Sequence, residues 1–586
     1  MNPDEYLQHI AELQQRNWPT GVARAPTYRF GEVLLTDYLR RWAQIQPDKP
    51  AYIFYGAELS YRQLDQQSDA LAALLAQHGV TKGDRVAVFL PNCPQFAIAF
   101  YAILKLGAVH VPVNPLFKEA ELVYELNDTG AAVAIVQDQL MAMVRAVQDR
   151  APLRTIFTTS YADSLPAKPT IPVPDSIGHP KLECADTIDL MRALAETTAV
   201  CPQVDVSLDD VAALNYTGGT TGMPKGCVHT QRNMVYTAAT TCTVGSPGKP
   251  DDIGINFFPV FWIAGEDVAL IFPIFTGATC VLLARWDPIG FMAAIDHYKV
   301  NMAGLLVDNA VELLEHPHAG RYDLRSLERV RVSSFVKKLS VDYRRRWQAL
   351  TGTVMAEAAW GMTETHTCDT FTTGMQADDF DLKAQPVFVG LPMPGTEFKI
   401  CDFETGALKP LGEDGEICCR SPSLLKSYWN KPEASAQALR DGWLYTGDIG
   451  VIDEMGYLHF LGRRKEMLKV KGMSVFPAEI ESLLGQNPAI LGSGVIGRAD
   501  PELGQVPVAF IRLDPARRDE VTAQQLTDWC RRNMANYKVP EIRFVNELPM
   551  TATGKVKKDE LAKLLLDQLL NKPCSKDEKL PVTRLQ

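Results

Sequence analysis

Residues 216–226 read YTGGTTGMPKG, a run crowded with glycines and hydroxyls and closed by a lysine. Gly218, Gly219 and Gly222 let the backbone turn its N–H groups inward around an anion. Thr217, Thr220 and Thr221 add hydroxyl donors, and Lys225 adds positive charge. The Walker phosphate-loop pattern does not fit, because Gly222 is followed by Met223 and Pro224. Taken alone, the run also suits a tight turn; its length and its density of hydroxyls favour a phosphate cradle.

Further along stand WGMTE (Trp360–Glu364), YTGD (Tyr445–Asp448), GRRKEMLKVKG (Gly462–Gly472), VFPAEIE (Val475–Glu481) and TATGK (Thr551–Lys555). Each is weak by itself. In this order, and behind the glycine loop, they closely resemble the motifs of the adenylate-forming superfamily. That superfamily contains acyl-CoA synthetases, the adenylation domains of peptide synthetases and beetle luciferase. The resemblance runs from about residue 37 to residue 568.

The resemblance implies a role for each piece. Adenylation brings a carboxylate up to the α-phosphate of ATP, and the repulsion between two anions is the obstacle. Lys555 is implied as the cation between them, a compact charge on a flexible stem. Glu364, with Thr220, would hold Mg2+ against the leaving pyrophosphate, as hard oxygen ligands for a hard cation. Thr363 would touch phosphate, and Trp360 would stack on adenine beside Gly361 and Met362. Asp448 would accept both ribose hydroxyls, with Arg463 helping to hold ribose and phosphate. Lys465 matches a hinge about which a smaller domain turns, removing Lys555 and presenting Lys469 and Gly472 for thioester formation. Coenzyme A brings its own thiol, so no protein nucleophile is required.

Val260, Trp262, Ile263, Val307 and Phe335 are apolar candidates for the acyl pocket. Two stretches depart from the family pattern. Relatives commonly carry His in the segment matched by FFPVFWIAG, where this chain has Trp262. Relatives also carry a Gly/Ala/Pro-type stretch bordering adenine, where this chain has RVSSFVKKLS, Arg331 to Ser340.

These groups need a scaffold. LSYRQLDQQSDALAALLAQHG has helical spacing and ends on Gly79, DRVAVFL reads as a buried strand, AFYAILKLG as a helix closed by Gly107, and AVHVPV as a strand. Strands alternating with helices predict βαβ units in a largely parallel sheet. VAALNY is an apolar strand feeding the glycine loop, while residues 160–207, rich in Pro, Asp and Ser, read as a long surface connection. Short strands with turns follow residue 400 (EFKICD, GEICCR, GYLHFLG), and the chain changes character from about 466. The resemblance implies an α/β protein whose large N-terminal domain, 1–464, combines parallel-sheet subdomains with a small β-barrel-like one. A smaller, mobile α+β domain, 466–586, would follow the hinge at Lys465, and the polar tail from Asn571 would fray.

Bulk properties narrow the class. A chain of 586 residues exceeds one ordinary core and calls for at least two domains. A net charge of −11 argues against a nucleic-acid binder, and anionic substrates would have to be drawn in by local basic groups. Twelve cysteines without a C-x-x-C pair form neither a zinc pattern nor a disulfide framework, which points to a reducing cytoplasm. The polar, acidic N-terminus is no secretory signal. The longest apolar stretches are broken, one by Lys105 and the other by Glu266, Asp267 and two prolines. Both fall short of the roughly 20 residues that span a bilayer. Peripheral membrane contact and a homodimer stay compatible with the sequence.

Together these readings give an AMP-forming carboxylic acid–CoA ligase using ATP, Mg2+ and CoA on a hydrophobic acid of fatty or related type. Two alternatives stay open: an enzyme that loads a separate carrier protein, and an inactive relative kept as a nucleotide-binding scaffold. Intact Glu364, Asp448, Arg463 and Lys555 count against the second.

Overall fold

The computed structural model describes residues 3–217, 223–358, 360–384, 387–471, 473–551 and 554–570. Gly218, Gly219, Thr220, Thr221, Gly222 and Gly472 lie outside them, as does the tail from Asn571. The chain divides into two compact units, residues 1–333 with 339–460, and residues 334–338 with 461–586.

The larger unit is built on two seven-stranded sheets that are parallel except for one terminal pair each. In the first, strand Thr155–Thr159 pairs with Val133–Gln137, then come Arg85–Phe89, Val109–Pro112, Val211–Tyr216 and finally Gly226–Thr230. In the second, Met355–Glu357, Arg329–Ser333, Met302–Leu306, Ile253–Asn256, Thr279–Leu282 and Pro50–Phe54 run side by side. The central strands, such as Val109–Pro112, Val133–Gln137 and Thr279–Leu282, are buried on both faces, as parallel sheets covered by helices require, whereas Met302–Leu306 and Arg329–Ser333 alternate buried and half-buried residues. The anticipated alternation is present: helix Tyr61–Gln77 starts at a Ser60 capping box with Gln63, and helix Pro94–Lys105 is buried along its whole length. Lys105, which interrupts that apolar stretch, lies within 2.6 Å of Asp65 and 2.8 Å of Asp69, so its buried charge is doubly paired.

One part of the expected layout differs. Within 160–207, strand Ile188–Asp189 adds to the first sheet, and the Asp189 carboxylate then accepts the Arg192 N–H to cap helix Leu190–Glu196. Elements this short leave too few residues for a hydrophobic period to show.

A third, antiparallel sheet occupies the position foreseen for a small barrel, with strands Phe388–Pro392, Leu458–Arg463, Trp443–Ile452, Gly415–Arg420 and Glu397–Cys401 in that order. The smaller unit is α+β. A long antiparallel pair, Ile490–Asp500 with Gly504–Leu513, is covered by helices Pro477–Leu484, Ala523–Asn533 and Lys558–Leu570. Val336 packs in the core of this unit against Ile496, Val508 and Leu548. Among the described residues no helix is long and apolar enough to cross a membrane.

Candidate active site

The glycine loop connects two antiparallel strands, Val211–Tyr216 and Gly226–Thr230, in register Tyr216 to Gly226. Its described ends are tied by the Thr217 N–H donating to the Lys225 carbonyl at 2.9 Å. From outside, the Tyr124 hydroxyl donates to the Pro224 carbonyl at 2.9 Å and the Tyr216 hydroxyl to Asp128 Oδ2 at 2.6 Å. The described shoulders of the loop are therefore two paired strands, Val211–Tyr216 and Gly226–Thr230, and not a strand and a helix.

Lys225 and Glu364 are brought together through a residue that sequence reasoning missed, Tyr428. The Lys225 Nζ stands 4.0 Å above the Tyr428 ring centre, and the Tyr428 hydroxyl donates to Glu364 Oε1 at 2.8 Å. Tyr428 is placed by an extended segment hydrogen-bonded to Gly226–Thr230: Val228 N–H to Ser427 O, and Trp429 N–H to Gly226 O. The Leu425 N–H donates to the Glu364 carbonyl at 2.8 Å, fixing the backbone that carries the carboxylate. Glu364 itself is buried, in the turn Thr363–Thr365.

Trp360 and Asp448 also meet. The indole Nε1 donates to Asp448 Oδ2 at 3.0 Å, and the indole ring stands edge-on to Phe398 at 5.5 Å. The residue expected to stack on adenine thus orients the one expected to hold ribose. Asp448 lies in strand Trp443–Ile452, where the Thr446 hydroxyl accepts its N–H at 3.0 Å. Gly361 follows Trp360 where the chain doubles back: a Cβ there would stand 1.4 Å from the Thr367 carbonyl oxygen, so only glycine fits. Met362 is half-buried, and the Thr363 carbonyl accepts from His229 Nε2 at 2.8 Å.

Of the acyl-pocket candidates, Val260, Trp262, Ile263 and Val307 lie in the larger unit. Val260 N–H donates to Asn92 Oδ1 at 2.9 Å, and Trp262 starts helix Ile263–Glu266. Phe335 falls in the smaller unit, where its ring centre is 5.2 Å from Lys555 Nζ. Also in that unit are Arg463 at the end of its strand, exposed Lys465 in the turn Arg464–Glu466, and Lys469, whose Nζ donates to Ser474 Oγ at 2.9 Å. Lys555 sits in a turn closed by Thr551 N–H donating to the Lys555 carbonyl at 2.7 Å.

Beneath the 360–369 turn lies a buried polar cluster. Burial pushes the Glu266 carboxyl up to about 8 and Asp369 up to about 7, and holds the His110 imidazole down at about 3. Burial also opposes a charge on His366, but Asp267 and Glu266 beside it more than reverse this and raise it. His229, buried and facing His366 at 4.8 Å between ring centres, is pushed down.

The family profile of AMP-binding enzymes matches residues 39–429, and that of their C-terminal domain matches residues 479–555. The chain belongs to the AMP-binding enzymes. This AMP-binding enzyme is 34% identical over 540 residues to a long-chain-fatty-acid–CoA ligase of Bacillus subtilis (strain 168), covering 89% of this chain and 92% of the relative. It is 30% identical over 511 residues to 4-coumarate–CoA ligase 2 of Nicotiana tabacum, covering 86% and 88%. Its backbone matches the crystal structure of an anthranilate CoA ligase in complex with anthranoyl-AMP at a TM-score of 0.79 and 28% identity, covering 92% and 98%. The AMP-binding enzyme is accordingly an AMP-forming acid–thiol ligase of the acyl-CoA synthetase branch, using ATP, Mg2+ and CoA. The three relatives carry three different acids in their names, so the acid has to be argued from the site.

The residues present fit a magnesium ion. Among the described residues no three His, Cys, Asp or Glu side chains converge into an all-protein cage. A single carboxylate such as Glu364, with the other positions left to phosphate and water, is how this ion is held in nucleotide sites. Bound there, it would offset phosphate charge and polarise the leaving pyrophosphate.

Proposed function

We propose that the enzyme activates an acid with an apolar body by joining its carboxylate to AMP in the larger unit, and then passes the acyl group to CoA. The observation that carries this reading is the pair of contacts joining chemistry-bearing residues: Trp360 to Asp448 at 3.0 Å, and Lys225 to Glu364 through Tyr428. In the reading, Asp448 accepts the ribose hydroxyls, Trp360 faces adenine, Thr363 and Lys225 meet phosphate, and Glu364 carries the metal. Lys555 lies between carboxylate and α-phosphate in the first half-reaction. Rotation about Lys465 then exchanges it for the face bearing Lys469 and Gly472, with Arg463 remaining near the nucleotide. Val260, Trp262, Ile263 and Val307 supply apolar walls for the acid; Val260, Ile263 and Val307 are buried and Trp262 is half-buried. The domain boundary proposed at Lys465 lies just beyond Phe460, where the two compact units divide.

We place the reaction in the cytoplasm; the eleven described cysteines, all free thiols, support a reducing compartment. The test is ATP–pyrophosphate exchange driven by carboxylic acids, paired with consumption of the CoA thiol. Exchange without thiol consumption would sink the CoA step, and absence of exchange with every acid would sink adenylation.

A further inference from the structure

The stretch from Arg331 to Ser340, where the chain departs from the family pattern, opens on a charge that the roles above leave unused. Arg331 lies in strand Arg329–Ser333, between Met302–Leu306 and Met355–Glu357 in the second sheet. Helices ordinarily seal both faces of such a strand. Here one face is sealed, with Leu305, Val330 and Val332 buried, whereas Gly304, Leu306, Arg331 and Ser333 on the other face stay half-buried. An opening to solvent therefore runs along that second face.

The Arg331 guanidinium sits deep in it, since burial pushes its pKa down to about 10. Its Nη2 donates to the Gly245 carbonyl, at the end of the π-turn Thr241–Gly245, and to the Thr373 hydroxyl at 2.7 Å. Both partners are neutral, and the Thr373 hydroxyl itself donates to the same carbonyl at 2.6 Å. Among the described residues, Arg331 Nε and Nη1 donate to no protein atom, yet neither belongs to the sealed, unpaired polar atoms of the interior. These two donors face the opening. Arg329, two residues earlier on the same face, is neutralised by Asp252, with Glu328 at 3.9 Å. The acidic group that acts on Arg331 is Asp381, but both its oxygens are already held by Arg344, at 2.9 and 2.7 Å. Arg331 thus carries a recessed positive charge without an ion-pair partner among the described residues, a costly arrangement that an arriving anion relieves.

The opening borders the walls assigned to the acid. Gly304 stands opposite Arg331 in register, and a Cβ on it would be 3.1 Å from the ring of Phe258, two residues before Val260. Leu306, opposite Ser333, runs directly into Val307. Building on the acid-site reading above, we infer that Arg331 determines specificity at this site, and that the acid carries a second carboxylate on its apolar body which pairs with the free donors of Arg331. Guanidinium is the side-chain group best matched to a carboxylate. Its Nη2 bonds hold it in place beforehand, so little freedom is lost when the anion arrives. A plain alkyl or aryl chain laid along the opening would strip water from the charge and supply no anion. Sites built to hydrogen-bond a substrate group discriminate strongly against the analogue that lacks it.

The experiment uses the full-length enzyme and matched acids in ATP–pyrophosphate exchange. Octanedioic acid is set against octanoic acid, dodecanedioic against dodecanoic, and para-carboxyphenylacetic against phenylacetic. The expected result is a kcat/KM at least about ten-fold higher for a diacid than for its plain partner. Monomethyl octanedioate keeps the second carbonyl and loses its charge, so it should behave as the plain acid does; use equal to that of the diacid overturns the ion pair. Arg331→Met and Arg331→Gln should each bring the diacid-to-monoacid ratio to about one. Because it is a ratio, a general loss of rate cancels, and either variant suffices should the other fail to fold. Plain acids used as well as diacids by the wild type, or a diacid preference that survives in the variants, overturns the inference and leaves adenylation standing. Failure of every acid, with one carboxylate or two, to drive exchange would instead fail the reading on which it rests.

Discussion

The turn carrying Trp360–Glu364 and the turn carrying Lys555 are assigned to one half-reaction and are held in opposite ways. Trp360, Glu364 and Asp448 are buried, in a part of the larger unit where side-chain and backbone bonds from several strands converge. Lys465 and Lys555 are exposed in short turns of the smaller unit, and Lys469 is exposed on its short strand Leu468–Val470. Groups that must already be in position when nucleotide arrives are locked by packing, since misplacement of about 1 Å is costly in rate. Groups that must arrive and depart within a cycle are left where solvent and local turns let them move.

The strongest way to break this contrast is Lys555→Ala. It should lower acid-driven pyrophosphate exchange by roughly 10²–10³-fold, the usual cost of removing one transition-state contact. Conversion of pre-made acyl-adenylate and CoA to thioester should survive. Lys465→Pro, which fixes φ near about −65°, should give the reverse pattern: exchange largely kept and thioester release lost. If both variants stay folded and lose both half-reactions equally, the exposed lysines do not take turns, and the contrast is spurious.

On the buried side, Asp448→Ala removes a charged acceptor worth about 1.5–3 kcal/mol, so kcat/KM for ATP should fall about ten- to a hundred-fold. The same variant should leave the thioester step from pre-made acyl-adenylate less affected than exchange; ATP kinetics like those of the wild type would remove Asp448 from the site. The smallest effect is expected for Tyr428→Phe, which deletes the hydroxyl that donates to Glu364. The Mg2+ concentration giving half-maximal exchange should rise about three- to ten-fold, in line with one hydrogen bond to a charged group. A metal titration matching that of the wild type would mean that Tyr428 only packs.

Much of the scaffold was legible in the sequence because it rests on local patterns. VAALNY is the strand Val211–Tyr216, and the helix–strand alternation before residue 150 appears as read. The motif order gave the family because each motif is contiguous. Tyr428 was not legible: it lies 64 residues from Glu364, and a lone tyrosine in SYWN carries no spacing signal. The buried cluster of His110, Glu266, Asp267 and His366 is assembled from a strand, a helix and turns far apart in sequence. Only Glu266 and Asp267 left a trace, as charges where an apolar stretch should continue. The grouping of residues 334–338 with the smaller unit was equally hidden, because Val336 finds its apolar partners at Ile496, Val508 and Leu548.

Loops are ordinarily where homologous chains drift in length, and the glycine loop should be an exception. Both of its shoulders are locked. Tyr216 pairs with Gly226, and the strand beyond is clasped on its far side through Val228 and Trp429. A one-residue insertion between 217 and 225 has no neighbouring strand that can slip to absorb it, because slippage would turn His229 off the Thr363 carbonyl and reverse the face of every side chain on that strand. The whole change in length would fall on the cradle itself. Insertions and deletions should therefore be nearly absent from this segment in functional descendants of the gene, whereas substitutions that keep nine residues between the shoulders could still be sampled.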